Sequence, residues 1–397
     1  MMKKIDRRGF FRTGLAGAAG IALSKSAICA GLNKPDSEII YRTLGKTGMK
    51  VPVISFGVMR SDNPGLCKAA YDNGIKLFDT ANGYQNGNNE AMLGNLFKDI
   101  PRDTFYIATK VKAAGMNREG LPTAETTAED FLARFDDSLS RLKMDYVDIL
   151  YVHDVSNPEY LKFKPILNAA KRIKKDGRAR FIGFSTHRNE AAVIDAASKG
   201  NDWDVILTSY NFQQAYRKEL DAAVKKAAAA GIGIVAMKTL AGGGFLDKEK
   251  KMPINSSAAL RWVLSNPDIH TTIPGMTQFD QLEANTKLLT DIRLTEQDKK
   301  DLLLAGAEPG LYCSGCNNCE GKCPKGFFIP DLMRAYMYAY GYGNALDAQM
   351  LLGQLGYGKD PCGDCTECHV ECGKGFRIKE KITDVSRLVD VPSEFLA

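Results

Sequence analysis

Eight of the chain's ten cysteines lie between Cys313 and Cys372, in two runs of the same form. Cys313, Cys316, Cys319 and Cys323 are separated by two, two and three residues, and Cys362, Cys365, Cys368 and Cys372 repeat that spacing with the same Lys-Gly-Phe sequel. Such spacing sets three thiolates on one tight loop and sends the fourth towards a second centre. It predicts two 4Fe-4S clusters with crossed ligation: Cys313, Cys316, Cys319 and Cys372 for one, Cys362, Cys365, Cys368 and Cys323 for the other. Zinc is the weaker reading, because four-cysteine zinc sites usually draw on two separated CxxC pairs. Disulfides need an oxidising compartment, and a cluster assembled before export removes that option. The second run has Gly373 where the first has Pro324. His369, beside Cys368, reads as an exposed loop residue, and Cys67 as a buried small side chain.

Four further side chains are suited to acid–base work: Asp79, Tyr84, Lys110 and His153 each stand at or just beyond the end of a candidate strand. Taken singly they have plainer readings, as an ion pair, a packed aromatic and a hydrogen-bonded histidine. Their common placement is what joins them. From Ile39 onward, short β-branched or apolar runs alternate with longer helical patterns eight times over, which predicts a parallel sheet. The candidate strands are 51–56, 76–79, 105–109, 147–152, 179–184, 205–209, 232–237 and 271–273. Between them lie helices such as Ala128–Leu142, with Phe131, Leu132, Phe135, Leu139 and Leu142 at helical spacing. Eight such units over about 270 residues match a (β/α)8 TIM barrel, whose catalytic groups gather at the C-terminal ends of the strands. No GxGxxG follows the first strand, which disfavours a doubly wound sheet.

The barrel is expected over 38–308. A helix at 295–305 is expected to leave it, before Glu308-Pro309-Gly310 breaks the pattern. A small, mostly helical iron-sulfur domain follows over 309–397, with helices across 330–356 interrupted near Gly341-Tyr342-Gly343. The first 37 residues contribute five of the six net positive charges, so no basic patch is left for nucleic acid. They read as an export signal: Arg7-Arg8 with Phe10 and Phe11 behind, then a weakly apolar stretch and small residues. This resembles a twin-arginine signal, which implies export of an already folded protein, here to the periplasm. No apolar run of the later chain is long enough to span a membrane.

Phe78-Asp79-Thr80-Ala81 with Tyr84, Ile107-Ala108-Thr109-Lys110 and Leu150-Tyr151-Val152-His153 follow one another at the ends of the second, third and fourth strands. That order resembles the aldo-keto reductase family. The likeness begins at Tyr41-Arg42-Thr43-Leu44-Gly45-Lys46-Thr47-Gly48 and runs to Leu289, through Ile273-Pro274-Gly275 and Leu282-Glu283-Ala284-Asn285. It implies carbonyl–alcohol redox chemistry on a small-molecule substrate, with Tyr84 as proton donor or base. Lys110 would favour the phenolate, Asp79 would hold the ammonium, and His153 would hydrogen-bond the substrate oxygen.

The likeness further implies NAD(P), seated by Gly57, Ser185, Thr186, Met237, Lys238, Gly275 and Asn285, with Lys238 and Gly242-Gly243-Gly244 near the pyrophosphate. Thr186 stands where the family has Asn, Leu207 where it has Gln, and Met237 where it has an aromatic. Gly275-Met276-Thr277-Gln278 lacks the cation that pairs the extra phosphate of NADPH, so NAD and NADP both stay open. The cysteine runs resemble bacterial ferredoxins and imply a redox partner protein. Nicotinamide moves two electrons and each cluster one. The second reading is therefore an electron-transfer or docking module whose barrel no longer turns over a nicotinamide.

Overall fold

The computed structural model describes residues 38–241, 254–307, 313, 317–341, 344–366, 368–373 and 375–396. The export signal, the 242–244 glycine loop and Cys316 lie outside the described residues. Strands β3 (Phe56–Gly57), β4 (Leu77–Asp79), β5 (Tyr106–Val111), β6 (Val147–Val152), β7 (Ala179–Thr186), β8 (Val205–Ser209), β9 (Gly233–Met237) and β10 (Thr271–Thr272) pair in sequence order, all parallel. Every residue of β6 is buried, as befits a parallel strand covered on both faces. The sheet closes into a barrel where Ile54 bridges Thr272 and Gly57 bridges Gly275. Gly57 suits that seam, since a Cβ there would lie 2.7 Å from the Ile273 carbonyl oxygen.

The expected first strand at 51–56 divides in two. Val51 and Pro52 belong to β2 (Lys50–Pro52), which pairs antiparallel with β1 (Tyr41–Thr43). Leu44, Met49 and Val51 from this hairpin join Leu77, Ala108, Ile149 and Val205 in one buried cluster inside the barrel. A mostly apolar run carries little mark of where its pairing partner changes, and here the chain passes from hairpin to barrel within it.

Helix α1 (Pro64–Asp72) starts behind an Asn63 cap and buries Cys67. Helix α2 spans Asn88–Phe97, and α3 occupies the expected Ala128–Leu142 with Phe131, Phe135 and Leu142 inward and Lys143 ending it in the left-handed region. Around the rest of the barrel lie α4 (Lys164–Lys175), α5 (Glu190–Ser198), α6 (Arg217–Ala229), α7 (Ser256–Leu264) and α8 (Phe279–Lys287). Helix α9 (Glu296–Ala307) does not leave the barrel: Arg261 of α7 lies 3.2 Å from its Asp298. Leu302 and Ala305 of α9 share a core with Ala258 and Ala259 of α7.

In the C-terminal region, α10 (Ile329–Tyr336) runs into a π-helical turn at Met337–Gly341. Helix α11 (Ala345–Leu355) ends at a left-handed Gly356, and α12 spans Ile378–Ser386. Leu332, Met333, Leu352, Ile382 and Val385 pack in the same core as Ala241, Ile254 and Ala258 of the barrel side. The tail is thus built onto the barrel, and Ile39–Ala397 form one compact unit. No described helix is long and apolar enough to cross a membrane.

Gly183 in β7 has no room for a side chain, because a Cβ would meet the Val205 carbonyl oxygen at 2.1 Å and the Tyr151 ring at 3.0 Å. Gly183→Ala is expected to cost about 1–3 kcal/mol through overpacking, read as a lower urea midpoint with an unchanged slope.

Candidate active site and the adjoining thiol cavities

Asp79 ends β4 opposite Ala108, so Lys110, two residues further along β5, can reach back to it. Both side chains are buried, and Lys110 Nζ lies 2.5 Å from Asp79 Oδ1. The same nitrogen donates to the Thr80 carbonyl at 2.7 Å and to Tyr84 Oη at 3.2 Å. An ammonium has three N–H donors, and these three acceptors use all of them. Tyr84 is delivered by a tight turn in which Gln85 and Asn86 adopt φ of 50° and 54°, a region few non-glycine residues enter. Asn82 anchors that turn by donating to the Arg134 carbonyl at 2.9 Å, and Arg141 donates to the Asn82 carbonyl at 2.9 Å. His153 follows β6, its N–H bonded to the Val111 carbonyl at 2.9 Å. Its ring meets the Tyr84 ring edge-on at 6.1 Å. The four residues singled out from sequence are therefore brought together at the strand ends.

Burial raises the Asp79 carboxyl, partly opposed by Lys110. Burial also works against the Lys110 charge, but Asp79 and Tyr84 more than offset it and the amine titrates above its ordinary value. For Tyr84 the expectation needs correction. Lys110 does pull the phenol down, yet burial pushes it up further, so the resting group is a protonated phenol. Burial, with Lys110 next, lowers His153 to about 3, which makes it a neutral imidazole.

Of the residues expected to seat a nicotinamide, Lys238 lines the cavity beside the barrel mouth. Ser185 Oγ accepts the Asp154 N–H at 2.9 Å, and Thr186 Oγ1 donates to the Arg188 carbonyl at 3.2 Å. Met237 packs with the cluster inside the barrel. Lys238 follows β9 with φ 55°, its carbonyl held by Asn211 Nδ2 at 3.2 Å. Gly57 and Gly275 bridge each other at the seam. Asn285 is buried in α8, away from the cavity beside Lys238. Leu207 is enclosed in the barrel interior, and the polar groups on the segment after β8 that face that cavity are Asn211, Gln214 and Tyr216.

Seven of the eight tail cysteines lie among the described residues. They face two cavities, Cys313, Cys319 and Cys372 lining the first and Cys323, Cys362, Cys365 and Cys368 the second. Among the described residues no three His, Cys, Asp or Glu side chains converge as a metal-holding group. His369 is exposed, and burial raises the Cys67 thiol to about 11, as suits an inert core residue.

A set of ionic contacts that the sequence reading missed joins barrel to tail. Arg334 of α10 contacts His187 Nδ1, and His187 Nε2 lies 3.1 Å from Asp154 Oδ1. Arg188 pairs with Asp331 of α10 at 2.9 Å. Burial opposes the Asp154 charge, but the surrounding groups, Arg188 and Lys112 among them, hold it well below the usual carboxylate range. Burial, then Arg334, lowers Lys238 to about 7. Two signals were available: consecutive His187-Arg188 just past a strand, and Asp331 with Arg334 three apart on an otherwise apolar helix.

A model of the aldo/keto reductase family matches residues 58–258. L-galactose dehydrogenase of Arabidopsis thaliana is 28% identical over 310 residues, covering 67% of this chain and 93% of the relative. Aldo-keto reductase AFTS1 of Alternaria alternata is 27% identical over 245 residues, 52% of this chain and 66% of its own length. Among solved structures, the holo form of aldo-keto reductase AKR11C1 from Bacillus halodurans has a TM-score of 0.55 at 21% identity. That match covers 70% of this chain and 100% of the other, a likeness of fold alone.

The depressed His153 gives stability a pH dependence of fixed sign. Between about 6.5 and about 3 the unfolded chain binds a proton that the folded chain refuses. Stability is complete above that window and is lost as pH falls through it. His187, also held well below its ordinary value by burial and by Lys238, acts in the same sense. Urea unfolding at about pH 7.5 and about pH 5 is expected to show this loss, and His153→Gln to reduce it.

Proposed function

The chain belongs to the aldo/keto reductase family, and on that footing we propose that its barrel interconverts a small carbonyl compound and the corresponding alcohol. The observation that carries this reading is Lys110, whose donors are spent on Asp79, Thr80 and Tyr84. Nothing of the ammonium is left to bind substrate directly, so it acts through the phenol. Tyr84 Oη would give its proton to the oxygen of a carbonyl being reduced, and Lys110 would stabilise the phenolate left behind. In the reverse direction the same phenolate accepts the proton. His153, neutral at working pH, would orient that oxygen by a hydrogen bond.

A nicotinamide, when bound, supplies or accepts the hydride. Ser185 keeps its own O–H donor after accepting from Asp154, and with Met237 and Lys238 it would hold the ring end. The substrate class to test first is a sugar or related polyol, the kind of compound for which the L-galactose dehydrogenase relative is named. With any such substrate, Tyr84→Phe is expected to lower kcat by about 10²–10⁴-fold with little change in cofactor affinity. A variant of near wild-type kcat would refute the role of Tyr84.

We propose further that the tail carries two 4Fe-4S clusters, which store one electron each. The donor chemistry supports it: cysteine side chains line two cavities in the crossed grouping that the spacing predicts. Cys316 would complete the first set. Anaerobically isolated protein should then hold about eight iron and eight sulfide per chain; zinc in their place would overturn the assignment. Export by the twin-arginine route to the periplasm accords with a protein loaded before transport. Retention of wild-type localisation by an Arg7→Lys, Arg8→Lys chain would exclude that route.

The first thiol cavity reaches the ends of β8 and β9, with Lys238 and Gln214 among its lining. That placement favours the electron-transfer module as the second reading. Fluorescence titration with NADH and NADPH separates the two, since binding of neither supports the module.

A further inference from the structure

The two thiol cavities differ in what else surrounds them. Beside Cys313, Cys319 and Cys372, the first is lined by His187, Glu190 and Lys238 of the barrel and by Arg334 of α10. The second, with Cys323, Cys362, Cys365 and Cys368, draws all its lining from the tail and ends near the surface, where Cys368 and His369 are exposed. Ile378 lines both, so the cavities are neighbours. Resting on the two-cluster reading above, we propose that Lys238 and Arg334 set the reduction potential of the barrel-side cluster above that of the outer one. The tail is then a relay with a fixed direction. An electron delivered to the outer cluster by a one-electron carrier at the surface passes to the barrel-side cluster, the first being reoxidised as the second is reduced.

The physical ground is charge. A four-thiolate cluster is anionic and gains a further negative charge on reduction, so a nearby cation or N–H donor favours the reduced form. In a buried setting such a charge is little screened by salt. Both side chains start from fixed positions: the Lys238 backbone is set by its left-handed φ and by Asn211, which donates to its carbonyl, and the Arg334 guanidinium is held by His187 and by Asp331 at 3.6 Å.

The anions of this region each have partners of their own, and none of them is a ligand of the cluster. Glu190 accepts from Ser209 and from Tyr216 Oη at 3.0 Å, Asp154 faces His187 and Arg188, and Asp331 faces Arg188 and Arg334. Around the outer cavity the cations are more exposed. Lys379 donates to the Cys365 carbonyl, and Lys325 is paired with Asp364.

The test is anaerobic redox titration of the full chain, reconstituted with iron and sulfide and followed by electron paramagnetic resonance, with dithionite as reductant and viologens as mediators. Two cluster signals at distinct midpoints are expected in the wild type. Lys238→Met should shift the higher midpoint to a more negative potential and leave the lower one in place, and Arg334→Met should do the same. Lys238→Arg should keep the wild-type value, which a merely structural role for the side chain would not predict. Should Arg334→Met fail to fold because it breaks the contacts to the barrel, the Lys238 pair still decides. Full iron content with unmoved midpoints in the Lys238→Met and Arg334→Met proteins overturns the inference while sparing the cluster reading. Absence of iron and of any signal in the wild type overturns both.

Discussion

The Lys110 ammonium is a charge placed where water does not reach. Removing an ammonium from water costs several kcal/mol even after the protein relaxes, so the site is tenable only if every N–H finds an acceptor in good geometry. Asp79, the Thr80 carbonyl and Tyr84 meet that demand. The demand in turn constrains the barrel: the β4–β5 register must set Asp79 opposite Ala108, or the carboxylate would lie beyond the reach of Lys110. It constrains the loop as well. Tyr84 reaches Nζ from a turn with two non-glycine residues at positive φ, a conformation costing on the order of 1–3 kcal/mol per residue, and half-buried contacts from Asn82 and Arg141 help to offset that cost.

The same burial that makes Lys110 exacting decides the state of its neighbours. In open solvent a nearby ammonium would draw the Tyr84 phenol towards its ionised form. Here desolvation outweighs that attraction, and the phenol rests protonated while His153 rests neutral. A proton donor is thereby poised for an oxygen that is gaining negative charge, and the ammonium becomes most useful after the proton has left.

Much of this was legible in the sequence because parallel strands buried on both faces announce themselves as apolar runs, and β6 is one from end to end. Asp79, Lys110 and His153 stood out because each interrupts or terminates such a run. The boundary between β2 and β3 was not legible, since Val51 to Ile54 is equally apolar whether it pairs with β1 or with the barrel. Nor was the net shift of Tyr84, because the sequence names its charged neighbour but not its depth. The contacts of Asp154, His187 and Arg188 with Asp331 and Arg334 were hidden for a different reason. They join residues far apart in the chain, and each alone reads as an ordinary surface charge.

Those contacts bind the chemistry of the two halves together. The tail shares its core with Ala241, Ile254 and Ala258, and its α10 is tied to the loop that follows β7. Ordering the loops that carry the cysteines therefore orders part of the barrel mouth, and a metal centre bound by those loops would contribute its binding free energy to the fold of the whole unit. A chain arranged in this way would gain its full stability only once loaded. The first thiol cavity lies at this junction, lined by Lys238 and His187 of the barrel and by Arg334 and Cys313 of the tail.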